Sequence, residues 1–297
     1  MECGAEFSRQ FPTISDAAAF AFPLPADFSE PFPMKKILLP SLALSWLLGM
    51  QLPTAIAASD IVVPPTSSSS ELTTPDPYWP ASGAFDAKGK TSSWGGFRKK
   101  NDERRALFAQ EKAADQDSLV LVGDSITEGW HTYKEDLADL HVKVANRGIG
   151  GDTTPNLLYR LEDDVLSLHP RALVILIGTN DLGEHTTPKD IAENCKVMLK
   201  KIRAEYPKIP IAWCLVMPRK GDDTYPARIK ELNTLIEKIA KHDKNITVVD
   251  TFTPLALPDG TSIADDFNPD HLHPNANGYK VWRAQLWPIL ESWHLGQ

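Results

Sequence analysis

The stretch 118–130, SLVLVGDSITEGW, runs four apolar residues into Gly123-Asp124-Ser125 and then into a helix-compatible segment. A short apolar run bounded by Gly and Asp reads as a strand buried on both faces. Four more runs of this kind follow: 141–146 (HVKVAN), 172–178 (ALVILIG), 209–216 (IPIAWCLV) and 245–250 (NITVVD). Helical patterns separate them at 126–139, 154–168, 188–205 and 225–242, with a last one at 275–293 and a charged one ahead of the first strand, near 97–116. Short strands alternating with helices predict an α/β fold, a three-layer α/β/α sandwich around a five-stranded parallel sheet. The expected strand order is flavodoxin-like, 2-1-3-4-5.

In such a sheet, ligands bind beyond the carboxyl ends of the strands. Ser125 follows the first strand, Asn146-Arg147-Gly148-Ile149-Gly150-Gly151-Asp152 the second, Gly178-Thr179-Asn180-Asp181 the third, and Met217-Pro218-Arg219 the fourth. A long loop past the fifth carries Asp270-His271-Leu272-His273-Pro274. All should meet on one rim.

Each element also has a plain structural reading. Ser125 suits a helix N-cap as well as a nucleophile, and Asp124 reads as a turn residue. The glycines of RGIGGDTT suit a tight turn, or a backbone N–H turned toward substrate; the segment lacks the lysine of a phosphate loop. Asn180 can satisfy a loop or donate to an oxyanion. The sharpest signal is Asp270 three residues before His273, close enough for a carboxylate to orient an imidazole within one turn. The crowd of Asp265, Asp266, Asp270, His271 and His273 also raises metal binding, but no other His or Cys cluster has ligand spacing, and no metal is expected. His131, His185 and His242 read as surface residues.

The formal charge of −8 and the lack of a basic block argue against nucleic acid as a partner. Among the three cysteines, Cys195 and Cys214 read as small buried residues, a single disulfide being the alternative. From Met34, two lysines precede an apolar stretch from Ile37 to about Leu52, and Ala55-Ile56-Ala57 supplies a cleavage pattern. That layout predicts a signal peptide over 34–57, export to the periplasm or beyond, and no stable membrane insertion after cleavage. Residues 1–33 read as an over-extended N-terminus, and 58–93, rich in Ser, Thr and Pro, as a leader or tether. The hydrolytic domain would then span 94–297.

Taken in order, GDSITEGW, NRGIGGDTT, LLYRL, IGTND and DHLHPNANGY resemble the SGNH, or GDSL, hydrolase family, most of all its members similar to platelet-activating-factor acetylhydrolase. The resemblance implies Ser125 as nucleophile, His273 as base and Asp270 as the residue that orients it. It also implies an oxyanion hole formed by the N–H groups of Ser125 and Gly151 with the Asn180 side chain, and no cofactor. The absence of an evident lid insertion points to an open site for short acyl chains, acetyl foremost, on a small-molecule or carbohydrate ester. A lysophospholipase or thioesterase acting on longer acyl groups, and a non-catalytic carbohydrate-binding module, are the alternatives.

Overall fold

The computed structural model describes residues 87–296. The expected N-terminal extension, the signal peptide and most of the leader lie outside the described residues. Five strands form the sheet: β1 (Leu119–Gly123), β2 (Val144–Gly148), β3 (Ala172–Leu176), β4 (Ile211–Cys214) and β5 (Ile246–Val249). They pair in the order β2-β1-β3-β4-β5, all parallel. The architecture is the α/β fold with flavodoxin-like order that the alternation predicts.

The helices are α1 (Phe97–Glu111), α2 (Ser125–Glu128), α3 (Tyr133–Asp136), α4 (Thr154–Asp164), α5 (Thr179–Gly183), α6 (Pro188–Glu205), α7 (Tyr225–Ala240) and α8 (Ala276–Ser292). Several starts are written in the sequence. Thr153 and Asn156 form a reciprocal cap on α4, the Thr187 side chain accepts the Asp190 N–H at the start of α6, and Asn275 accepts from Asn277 and Gly278 at the start of α8.

Strand side chains alternate between two cores. Val120, Val122, Ile175 and Trp213 face α4, α6 and α7, while Leu121, Val174, Ala212 and Cys214 face α8 and the segment after β1. Cys195 lies in the first core and Cys214 in the second, both as buried free thiols. They sit on opposite faces of the sheet, so a disulfide between them has no route.

Two expectations need correction. The helix expected over 126–139 is two short helices and a 3-10 turn (Ala138–Leu140). The chain breaks at Gly129, where a Cβ would sit 2.7 Å from the Tyr279 hydroxyl, and Trp130 turns inward onto Tyr279 and Trp282. The second concerns residues 88–93, expected as loose leader. Their backbone is hydrogen-bonded to Asn194, Asn156 and Glu184 of the domain. Among the described residues no helix is long and apolar enough to cross a membrane.

Candidate active site

Ser125 is the first residue of α2, two residues beyond the end of β1. Gly123 allows this sharp exit: a Cβ there would come within 2.3 Å of both the Leu176 carbonyl oxygen and Thr127 Oγ1. Asp124 caps the short helix by accepting the Ile126 N–H at 2.9 Å. The Tyr279 hydroxyl donates to the Ile126 carbonyl at 2.8 Å, and Asn146 Nδ2 donates to the Thr127 carbonyl at 2.6 Å. Ser125 is therefore held on a turn fixed from three directions, and its side chain remains partly exposed.

His273 Nε2 lies 2.7 Å from Ser125 Oγ, and His273 Nδ1 lies 2.6 Å from Asp270 Oδ2. The other Asp270 oxygen accepts the N–H groups of Leu272 and His273, both at 3.0 Å. His271, between them, takes a left-handed conformation (φ 53°) that closes the turn. Partial burial pushes the Asp270 carboxyl upward, but the bonds from the His273 ring and the two N–H groups outweigh it and hold the acid down at about 2. It is a carboxylate at neutral pH. Among the described residues no group of three or more His, Cys, Asp or Glu side chains is arranged to hold a metal ion.

On the far side of Ser125, Asn180 Nδ2 donates to the Asp152 carbonyl at 2.9 Å, which joins the loop after β3 to the loop after β2. Gly151 has φ 86°, a backbone that favours glycine. Among the described residues, the N–H groups of Ser125 and Gly151 meet no protein acceptor. Free N–H groups beside a serine and an asparagine amide are what a developing oxyanion requires.

A buried aspartate adjoins each of these three positions: Asp124 beside Ser125, Asp152 beside Gly151, Asp181 beside Asn180. Asp181 accepts the Thr154 N–H and hydroxyl, at 2.9 and 2.5 Å. Asp152 meets Arg160 at 2.6 Å, and Arg160 also donates to the carbonyls of Gly123 and Arg147. One guanidinium thus ties the ends of β1 and β2 to the glycine loop. Burial drives Asp124 and Asp181 up to about 7; it lifts Asp152 to about 6 against the pull of Arg160.

The sequence reading brings forward Ser125, Gly151, Asn180, Asp270 and His273, and the structure gathers all five on the carboxyl rim of the sheet. His131, His185 and His242 are exposed. Sequence reasoning passed over Glu128, whose carboxylate accepts the Gly150 N–H at 2.6 Å while meeting Lys100 at 3.2 Å. Its place inside GDSITEGW was the available signal. It also passed over Arg160, in LLYRL, whose long polar side chain in an apolar helix face was the hint. A cleft of about 590 Å³ opens beside Ser125 and His273, lined in part by Thr132, Asn268, Asn275, Tyr279 and Lys280.

Residues 121–281 match the GDSL-like lipase/acylhydrolase family. Human platelet-activating factor acetylhydrolase IB subunit alpha2 is 29% identical over 182 residues, covering 59% of this chain and 76% of the relative. Among solved structures, a GDSL-like lipase from Bacteroides thetaiotaomicron is 28% identical with a TM-score of 0.53, covering 66% of this chain and 97% of the other. A lipase/acylhydrolase from Enterococcus faecalis is 27% identical with a TM-score of 0.50, covering 59% and 95%. With the match spanning the sheet and every loop that carries the site, the chain belongs to the GDSL-like lipase/acylhydrolase family and is an ester-hydrolysing enzyme.

Proposed function

We propose that the enzyme is a serine esterase that works through an acyl-enzyme at Ser125 and removes short acyl groups, acetyl foremost, from carbohydrate alcohols. The observation that carries this reading is the chain Asp270–His273–Ser125, with contacts of 2.6 and 2.7 Å. Asp270 accepts the Nδ1 proton, so Nε2 carries the lone pair that faces the hydroxyl. As Ser125 Oγ attacks the ester carbonyl, its proton passes to Nε2. The carbonyl oxygen takes the negative charge and receives hydrogen bonds from the N–H groups of Ser125 and Gly151 and from Asn180 Nδ2. Collapse breaks the bond to the alcohol, which leaves with the proton from Nε2. Water then repeats the sequence on the acyl-enzyme and restores the serine.

The open cleft supports a small acyl group on a larger alcohol. His273 must hand its proton to the leaving oxygen, and the cleft on the His273 side sets the Asn268 amide and the Lys280 ammonium among apolar surface, a mix that supports a leaving group with both hydroxyls and C–H faces. Ser125→Ala should abolish turnover of p-nitrophenyl acetate in a protein that stays folded; retained turnover would reject the assignment. Rates on aryl esters from acetyl to octanoyl should fall with length, whereas a steep rise would favour the lysophospholipase or thioesterase reading. The lysine pair and apolar stretch of 34–57 support export, for which N-terminal sequencing of the exported protein should begin near Ala58.

A further inference from the structure

Residues 87–94 lie against the domain through buried side-chain amides. Asn194, fully buried in α6, accepts the Lys88 N–H at 2.7 Å and donates to the Lys88 carbonyl at 2.7 Å. Asn156, fully buried in α4, accepts the Ser92 N–H at 2.9 Å. The Ser93 N–H and hydroxyl both donate to Glu184, at 2.8 and 2.7 Å, directly after the helix that carries Asn180. Gly89, at φ 84°, brings the backbone so close to Thr186 that a Cβ would lie 2.5 Å from its Cγ2.

The same amides reach the oxyanion loops. Asn194 Nδ2 donates to Thr154 Oγ1 at 2.7 Å, and Thr154 in turn binds Asp181, the neighbour of Asn180. Asn156 accepts the Thr153 hydroxyl at 2.7 Å, two residues past Gly151. The segment thus ends in a fixed position over the loop of Gly151, and the residue delivered there is Trp94.

Trp94 lies across Gly96 and against Gly151: a Cβ on Gly151 would sit 3.2 Å from Trp94 Cε3 and 3.0 Å from Phe97 Cδ2. Phe97 is buried with Phe108 and Ile149, but Trp94 is 54% exposed, the most exposed large apolar side chain among the described residues. An exposed indole next to a candidate oxyanion donor, on a segment clamped by two buried asparagines, is a surface suited to an apolar face.

We propose that Trp94 is a substrate-contacting residue whose indole packs against the C–H face of an acetylated sugar ring while the acetyl carbonyl lies at Ser125. The proposal rests on the carbohydrate-ester reading above. It accounts for both flanks of the serine, since a partly acetylated sugar presents apolar C–H faces to the indole and free hydroxyls toward Asn268 and Lys280.

The test compares kcat/KM for a methyl glucoside carrying one acetyl group and otherwise free hydroxyls with kcat/KM for ethyl acetate, which has no ring to stack. In Trp94→Ala the ratio of the two should fall about 3- to 10-fold, chiefly through KM for the sugar ester. Trp94→Phe, which keeps an aromatic face, should restore part of it. A ratio unchanged in Trp94→Ala, including a case where both rates fall by one factor because Gly151 has lost support, overturns the assignment of Trp94. A wild-type enzyme that hydrolyses ethyl acetate but not the monoacetylated glucoside overturns the carbohydrate reading instead.

Discussion

The two sides of Ser125 are built in opposite ways. On one side, Asp270 and His273 sit three residues apart in a single surface turn, with side chains 48% and 33% exposed, and that turn makes most of its own hydrogen bonds. On the other, Gly151 and Asn180 come from separate strands. They are held by Asp152, Asp181, Arg160 and Thr154, all buried. The proposed base, His273, needs a correct tautomer, which one local carboxylate supplies. The proposed oxyanion donors must be aimed at a charge that exists only in the transition state, and aiming separate loops at one point takes a rigid, buried frame. Substitutions on the two sides should therefore separate activity from stability.

The largest loss of activity belongs to the exposed side. His273→Ala should lower kcat by about 10,000-fold or more, as removal of a general base does in serine hydrolases. Thermal unfolding should shift by no more than about 2 °C, because a half-buried side chain in a surface turn carries little packing. A large fall in Tm would show that the turn is part of the frame. On the buried side, Asn180→Ala should lower kcat by about 100- to 1,000-fold with a smaller change in KM. It should also lower Tm measurably, since its amide bridges two loops.

Asp181→Ala sharpens the contrast, because Asp181 cannot touch substrate. It strips the Thr154 N–H and hydroxyl of their acceptor, and each buried group left unpaired costs about 1–3 kcal/mol. Calorimetry should report that loss of stability, whereas unchanged stability would remove Asp181 from the frame.

The smallest effect is in pH. Asp124 and Asp181 titrate near 7 in the folded protein, against 3.8 for an exposed aspartate. Between those values the folded state binds more protons than the unfolded state, so stability falls as pH rises from about 4 to 7. Asp270 has the opposite sign. Its folded value of about 2 lies below 3.8, so its contribution is present above pH 4 and is lost as pH falls toward 2. Unfolding curves at intervals from about pH 2 to 8 check both limbs, and Asp181→Asn should flatten the upper one.

The contrast also explains what could be read from sequence. The sheet was legible because buried parallel strands are written as short apolar runs. The base turn was legible because Asp270 and His273 are neighbours in the chain. The oxyanion side was not readable from spacing, since nothing local links Gly151 to Asn180, 29 residues on; only the resemblance of the ordered motifs joins them. The anchoring of residues 88–93 was illegible for the same reason. Ser and Thr composition reads as a tether, and the groups that hold this stretch, Asn156 and Asn194, lie 64 and 106 residues from their partners.

Labelling with a fluorophosphonate probe tests the whole arrangement in one step, because the probe needs an activated alcohol and amide donors for its oxygen together. Peptide mass mapping should find one adduct, on Ser125, and almost none when His273 is replaced by alanine. An adduct on a different serine, or equal labelling of Ser125 without the imidazole, would contradict the account.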